Sequence, residues 1–291
     1  MKNLKRIHYI AAVIICAQSY TSFAGDDTFV EVDASLGLDD NVTRADVDSD
    51  IEYDTFVSLA ATLGYEAWRG ESGQLVLNAS LETEQFLDFS GLTNYSVSGA
   101  ATYTFGFSAG FGAPWFALNA KYRVTEFDSE LRDSDFSSVT ATMGKRIDDR
   151  TDMRIGIGAQ SRDSDGRAFD NDNSFGFINI DFSVAPKRTL YVTYRYQAGD
   201  TFSTASPANI SLAVLNEAGL ANEADDVFSG KRSYRLDATT HLVTIGYNRA
   251  LDLESAYDIS ARYLTSETDV ELDYQDLMVR VSYFRRFGLD L

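Results

Sequence analysis

Apolar side chains recur at every second position in run after run of this chain. Val30, Val32, Ala34, Leu36 and Leu38 alternate with Glu31, Asp33, Ser35 and Gly37. Val57 to Tyr65, Leu75 to Leu81, Tyr95 to Phe105 and Phe116 to Val124 repeat the pattern, and further runs start near Phe136, Thr151, Phe175, Thr189, Tyr234, Ala256 and Leu272. Successive side chains of a β-strand point to opposite faces, so a period of two marks a strand with one apolar and one polar face. Twelve such runs define an all-β chain with an even number of antiparallel strands.

The connections alternate in length. Short ones fall at 68–73, 107–113, 147–150, 185–188 and 250–253, and long acidic ones at 39–50, 84–93, 128–135, 163–173, 198–233 and 267–273. Short turns at one end and long loops at the other are expected of a transmembrane up-and-down β-barrel with both termini on the turn side.

Alternation alone also fits a secreted sandwich with its apolar face inward. Export is common to both; the aromatic girdle, the Arg and Glu held in mid-strand on the small, hydroxyl-rich polar face, and the last strand favour the barrel. Residues 1–24 read as a cleaved signal peptide, with Lys2, Lys5 and Arg6 ahead of the apolar Ile10–Cys16 and a Ser22-Phe23-Ala24 cleavage site, so residues 25–291 are expected to form the exported barrel. Aromatics cluster beside the short turns (Tyr65, Trp68, Phe105, Phe107, Phe111, Trp115, Tyr247, Tyr257 and Tyr283), as in the interfacial girdle of an outer-membrane protein. Every acidic residue follows Gly25, and the net charge is -19, which excludes gripping nucleic acid phosphates. A mean hydropathy of -0.20 and no long apolar run exclude a helical membrane protein. Cys16 is the only cysteine, and His8 and His241 the only histidines, so neither a metal centre built on these residues nor a cofactor is expected.

The last run, Leu277 to Phe287, resembles the aromatic-ended assembly signal of bacterial outer-membrane barrels, although Gly288 to Leu291 follow the phenylalanine. Gly37-Leu38-Asp39-Asp40-Asn41-Val42 resembles the opening-strand motif of β-barrel porin families, with Leu38 where an aromatic often sits. The resemblance implies a Gram-negative outer-membrane location. It also implies contact with membrane lipid and lipopolysaccharide, and insertion by the barrel-assembly machinery.

Catalytic readings are poor. Gly106-Phe107-Ser108-Ala109-Gly110 matches the nucleophile-elbow pattern, but no helical segment follows it. His241 lies on a run with Val243, Ile245 and Tyr247 that reads as lipid-facing, and no serine or acid joins it into a catalytic set. Ser161 to Asp172 has an incomplete calcium-loop spacing and reads better as a solvated acidic loop. The long loop at 198–233 holds a short amphipathic helix near Ile210–Glu217, and reads equally as a constriction in the mouth or as an outward-facing lid or mobile loop.

With the apolar face outward, Lys121, Arg123, Arg154, Arg162, Arg195, Arg262, Arg280 and Arg286 point into the lumen. So do Glu31, Asp33, Glu82, Glu84, Asp181 and Asp258, which places a basic wall opposite a more acidic one. Charged linings of this kind set the selectivity of pores. The expected function is a porin-like channel for small hydrophilic solutes, anionic ones or acidic sugars among them. The alternative is an accessory barrel of an exopolysaccharide export or surface-assembly system. An enzymatic role is not expected.

Overall fold

The computed structural model describes residues 28–106, 110, 112–270 and 272–288. The expected signal peptide at 1–24, Ser108 of the elbow pattern, and Phe107 and Phe111 of the girdle lie outside the described residues. Nine strands lead in: β1 (Thr28–Asp39), β2 (Asp54–Arg69), β3 (Gly73–Phe86), β4 (Asn94–Gly106), β5 (Trp115–Phe127), β6 (Ser134–Arg146), β7 (Thr151–Ser164), β8 (Asn171–Ala185) and β9 (Arg188–Ala205). A helix α1 (Leu212–Ala218) and a short strand β10 (Asn222–Ala224) occupy the longest loop, and β11 (Arg232–Ala250), β12 (Ser255–Thr268) and β13 (Tyr274–Gly288) complete the chain.

Every pairing is antiparallel. β1 pairs with β13 and β9 with β11, so twelve strands close on themselves, and β10 adds to the free edge of β11 above β12. Where the twelve strands overlap, closure satisfies the ladders and leaves no edge, the condition for strands to stand in lipid. The outer face carries the apolar band: Val139 is 60% and Ile157 69% exposed, while inward Ser58 is 0% and Glu82 3% exposed. A soluble sandwich would show the reverse burial. The protein is a transmembrane β-barrel of the outer-membrane kind.

The turn end is held by local polar chemistry. Asp148 accepts the backbone N–H groups of Arg150 and Thr151, and Asp252 those of Glu254 and Ser255, an arrangement that pins each hairpin by its own side chain. At the opposite end β9 and β11 run to 18 and 19 residues, beyond the 9–11 or so needed to span a bilayer. The loop expected at 198–233 therefore shrinks to 206–231. The alternation fades there because both faces of the extended ribbon are covered by loops: Ser203, Thr204, Ser233, Tyr234 and Leu236 are all buried.

Six inward aromatics stand directly opposite glycines in the strand register, and each ring lies against its glycine. The pairs are Phe29–Gly64, Phe56–Gly37, Trp115–Gly144, Phe175–Gly158, Phe177–Gly156 and Tyr191–Gly246. A Cβ on Gly37 would sit 2.2 Å from the Phe56 ring, so only glycine lets these rings lie flat on the wall instead of filling the lumen. Trp115, expected in the girdle, belongs to this inner set. A one-residue offset in a strand moves a side chain to the other face, and Phe116 takes the outward position, stacked on Phe105.

Candidate functional site

The lumen is polar and partly open. Inward Thr62, Ser80, Thr102, Thr140, Thr193 and Thr244 keep intermediate solvent exposure, so the middle of the barrel is not packed solid. Their hydroxyls satisfy one another locally, as in the 2.8 Å bond between Thr62 and Ser80.

The charged side chains do not form two opposed walls, as expected; most pair. Near the turn end Arg286 Nη2 meets Glu31 at 2.8 Å, Arg154 binds Asp181 and Asn179, and Tyr191 donates to Asp258 at 3.0 Å. Higher up, Arg280 reaches Glu84 at 3.3 Å from β13 to β3, and Arg262 holds Asp276 at 2.8 Å, an acid missing from the sequence-level set. Glu82 serves both Arg123 (3.3 Å) and Lys121 (3.8 Å). Asp33 is 2% exposed and, among the described residues, has no hydrogen-bond donor; Arg280, Glu31 and Asp258 lie within electrostatic reach. Pairing follows from dielectric: a charge facing a half-buried lumen is far costlier alone than opposite a counter-charge.

Two bases depart from this rule. Arg195 Nη2 donates only to amide oxygens, Gln160 at 2.7 Å and Gln197 at 3.0 Å, with its guanidinium 3.7 Å above the Phe175 ring. Arg162 forms no ion pair or hydrogen bond among the described residues. The glycine–aromatic pairs explain how arginines are positioned. Arg195 lies on Phe175 on Gly158, Arg280 on Phe56 on Gly37, and Arg286 on Phe29 on Gly64. Each guanidinium carbon lies 3.7–5.1 Å from its ring centroid, within reach of cation–π attraction. The individual residues were visible in the sequence, but the stacking depends on register.

The long-loop end is covered. The 206–231 loop touches the connections of four hairpins around the rim. Asp50 accepts from Ser206 N (2.9 Å) and Asn209 Nδ2 (2.8 Å), and Lys231 Nζ reaches Glu52 at 2.7 Å. Phe228 packs on Phe89 at 4.8 Å, and Arg132 Nη2 meets Asp225 at 2.6 Å. Glu223 Oε1 accepts from Arg167 N at 3.3 Å. Because those partners leave the barrel between β1 and β8, the loop crosses the mouth. α1 anchors it through Val214 and Ala218 against Tyr234, Leu236 and Leu272. Residues 206–231 contact the rim loops and the upper ends of the strands, so the segment lies across the mouth and not down in the lumen. Asp225 is the hub of the polar contacts. Burial would raise its pKa, but the Arg132 guanidinium and hydrogen bonds from Arg132, Ser233 and Phe228 N hold it below the usual carboxylate range. Asp50 is likewise held low: the bonds from Ser206 and Asn209 and the charge of Lys231 outweigh its burial.

The other sequence candidates are dispersed. Ser161 to Ser164 end β7 and Asn171 to Asn173 begin β8, so their oxygens alternate between faces and do not converge as a calcium loop requires; Asp170 instead accepts from Ser164 N and Arg235. His241 Nδ1 shares a 2.8 Å bond with Tyr194 and its ring contacts Tyr196 on the outer wall; among the described residues no serine or carboxylate joins it.

No family model matches the chain, and no curated protein does. Among solved structures, an outer membrane channel from Pseudomonas putida F1 superimposes with TM-score 0.59 at 9% identity, over 94% of this chain and 100% of that one. That likeness shows a shared fold, the closed barrel of outer-membrane channels. An anion-selective porin from Comamonas acidovorans aligns over 90% of this chain and 99% of its own, also at 9% identity, but with a TM-score of 0.43 that carries no argument.

Proposed function

We propose that this barrel is an outer-membrane channel for small hydrophilic solutes and that it favours anionic ones, acidic sugars included. The observation that carries the reading is the pair Arg162 and Arg195, bases without carboxylate partners in a lumen where most other charges pair. Half-exposed hydroxyls offer weak, replaceable hydrogen bonds along the path, and the free guanidiniums attract an anion without holding it, the balance that conduction needs. The outward apolar band and girdle would contact lipid and lipopolysaccharide, and β13 the assembly machinery.

Conductance of the refolded chain in a planar bilayer under a salt gradient tests this. The expected result is anion preference that moves towards cations in Arg162→Glu/Arg195→Glu. An unmoved reversal potential overturns the lumen assignment. Arg154, paired with Asp181, is the poorer choice for charge reversal because it strands an acid. The loop across the mouth supports a second reading, an accessory barrel of a surface-polysaccharide export system whose opening depends on a partner; it predicts a folded barrel that stays silent alone.

A further inference from the structure

Two adjacent rows of the ladder concentrate an excess of positive charge under the covered mouth. In the upper row Arg123 pairs in register with Phe136, and Phe136 with Arg162. In the row below, Lys121 pairs with Ser138, and Ser138 with Gln160, the residue that Arg195 grips from β9. Arg44, in the loop after β1, supplies a further base from above. It holds a left-handed backbone (φ 54°), its guanidinium lies 4.2 Å over Phe202, and it lies within coulombic reach of Arg162. Among the described residues Glu82 is the one carboxylate in ion-pair contact with these five cations; Asp39 lies within coulombic reach of Arg44 and Glu84 of Arg123, which leaves five bases against three acids. Arg123 Nε is buried without an acceptor. Like charges gathered in a half-buried space repel strongly, and buried donors are normally satisfied. An oxoanion would relieve both.

We propose that Arg44, Arg123 and Arg162, with Lys121 and Arg195 beneath, form a binding site for a solute carrying a carboxylate, sulfate or phosphate group. The guanidinium forks suit the paired oxygens of such a group, and Phe136 keeps Arg123 and Arg162 apart while stacking on Arg123 at 5.8 Å. Placed just below the loop crossing, the site selects solutes at the entrance to the barrel. This deepens the channel reading and rests on it only for the passage of the bound solute.

The test is calorimetric titration of the refolded full chain with sodium sulfate, and separately with sodium glucuronate, at constant ionic strength. Saturable binding to one class of site is expected, weakened about 10- to 100-fold by Arg162→Gln and by Arg44→Gln, the loss of one charge-assisted contact. Arg286→Gln, at the distant turn end, should bind as the parent does. Gln160→Glu places a carboxylate inside the site and should abolish binding while leaving the barrel folded, as checked by heat-modifiable gel mobility. Absence of saturable binding, or binding unchanged in both Arg162→Gln and Gln160→Glu, overturns the site. The conductance experiment is separate: binding without current keeps the site and refutes the channel, and current without binding does the reverse.

Discussion

Asp225→Asn should release the segment over the mouth and leave the barrel intact. Asp225 is wholly buried and accepts from Arg132 Nη2 (2.6 Å), Ser233 Oγ (2.6 Å), Val227 N (2.8 Å) and Phe228 N (3.0 Å). The amide keeps the shape but loses the charge, so a 6%-exposed Arg132 is left with the 3.3 Å contact to the partly exposed Asp226, the Ser129 hydroxyl and the Phe169 ring at 4.3 Å. Removing one partner of a buried pair costs about 3–5 kcal/mol. Taking the low end, since two backbone bonds survive, the undocked population rises about 100-fold at 1.4 kcal/mol per decade. None of the twelve barrel ladders contains this contact, so the loss is local. Trypsin cleavage after Lys231 of the folded protein reads the undocked state directly, because docking buries that lysine. The variant should be nicked about two orders of magnitude faster while its heat-modifiable barrel form persists. Cleavage at the parental rate would refute the hub role of Asp225. A barrel that melts together with the loop would refute the independence of the two.

Acid should do the same. The pKa values of Asp225 and Asp50 are lowered in the folded protein, so their contribution is present above the ordinary carboxylate value near 4 and lost as pH falls through the folded values. Tryptic nicking cannot be followed there, so hydrogen exchange of residues 206–231 between pH 5 and 2 is the measurement, with faster exchange expected only at the acid end. Gly37→Val should displace the Phe56 ring and Arg280 with it, destabilising the barrel by about 1–3 kcal/mol in urea unfolding, whereas Gly99→Val, whose Cβ would meet only Asn78 O at 4.0 Å, should be near neutral. Ile157→Arg, on the outer band, should cost about 2–4 kcal/mol in refolding into lipid, and Thr140→Arg, facing the lumen, much less.

Arg162 and Arg195 were legible as inward bases from alternation alone, as were Glu31, Asp33 and Glu82. Which of them would stand free was not. Arg280 finds Glu84, and Tyr191 finds Asp258, across strands that are not neighbours in the sheet. Arg44 gave no periodic signal because it lies in a loop, and its left-handed turn and its place over Phe202 follow from the path of residues 40–53 across the mouth. The glycine–aromatic pairs left half a signal: glycines and aromatics were both present at inward positions, but nothing linear says that Gly158 faces Phe175.

The sequence by itself determined the twelve strands of the barrel, the face that most side chains take and the end at which the long loops emerge, but neither β10 nor the inward turn of Trp115. Those properties are local: a period of two and the spacing of turns act within one strand and its connection. Only the tertiary structure decided the register between strands, and with it the ion pairs, the stacked arginines and the direction in which residues 206–231 fold. These are consequences of closure, since the offset between neighbouring strands is set jointly by all twelve around the ring. Alternation is unchanged when a whole strand slides by two residues, but the partner of every charge is replaced.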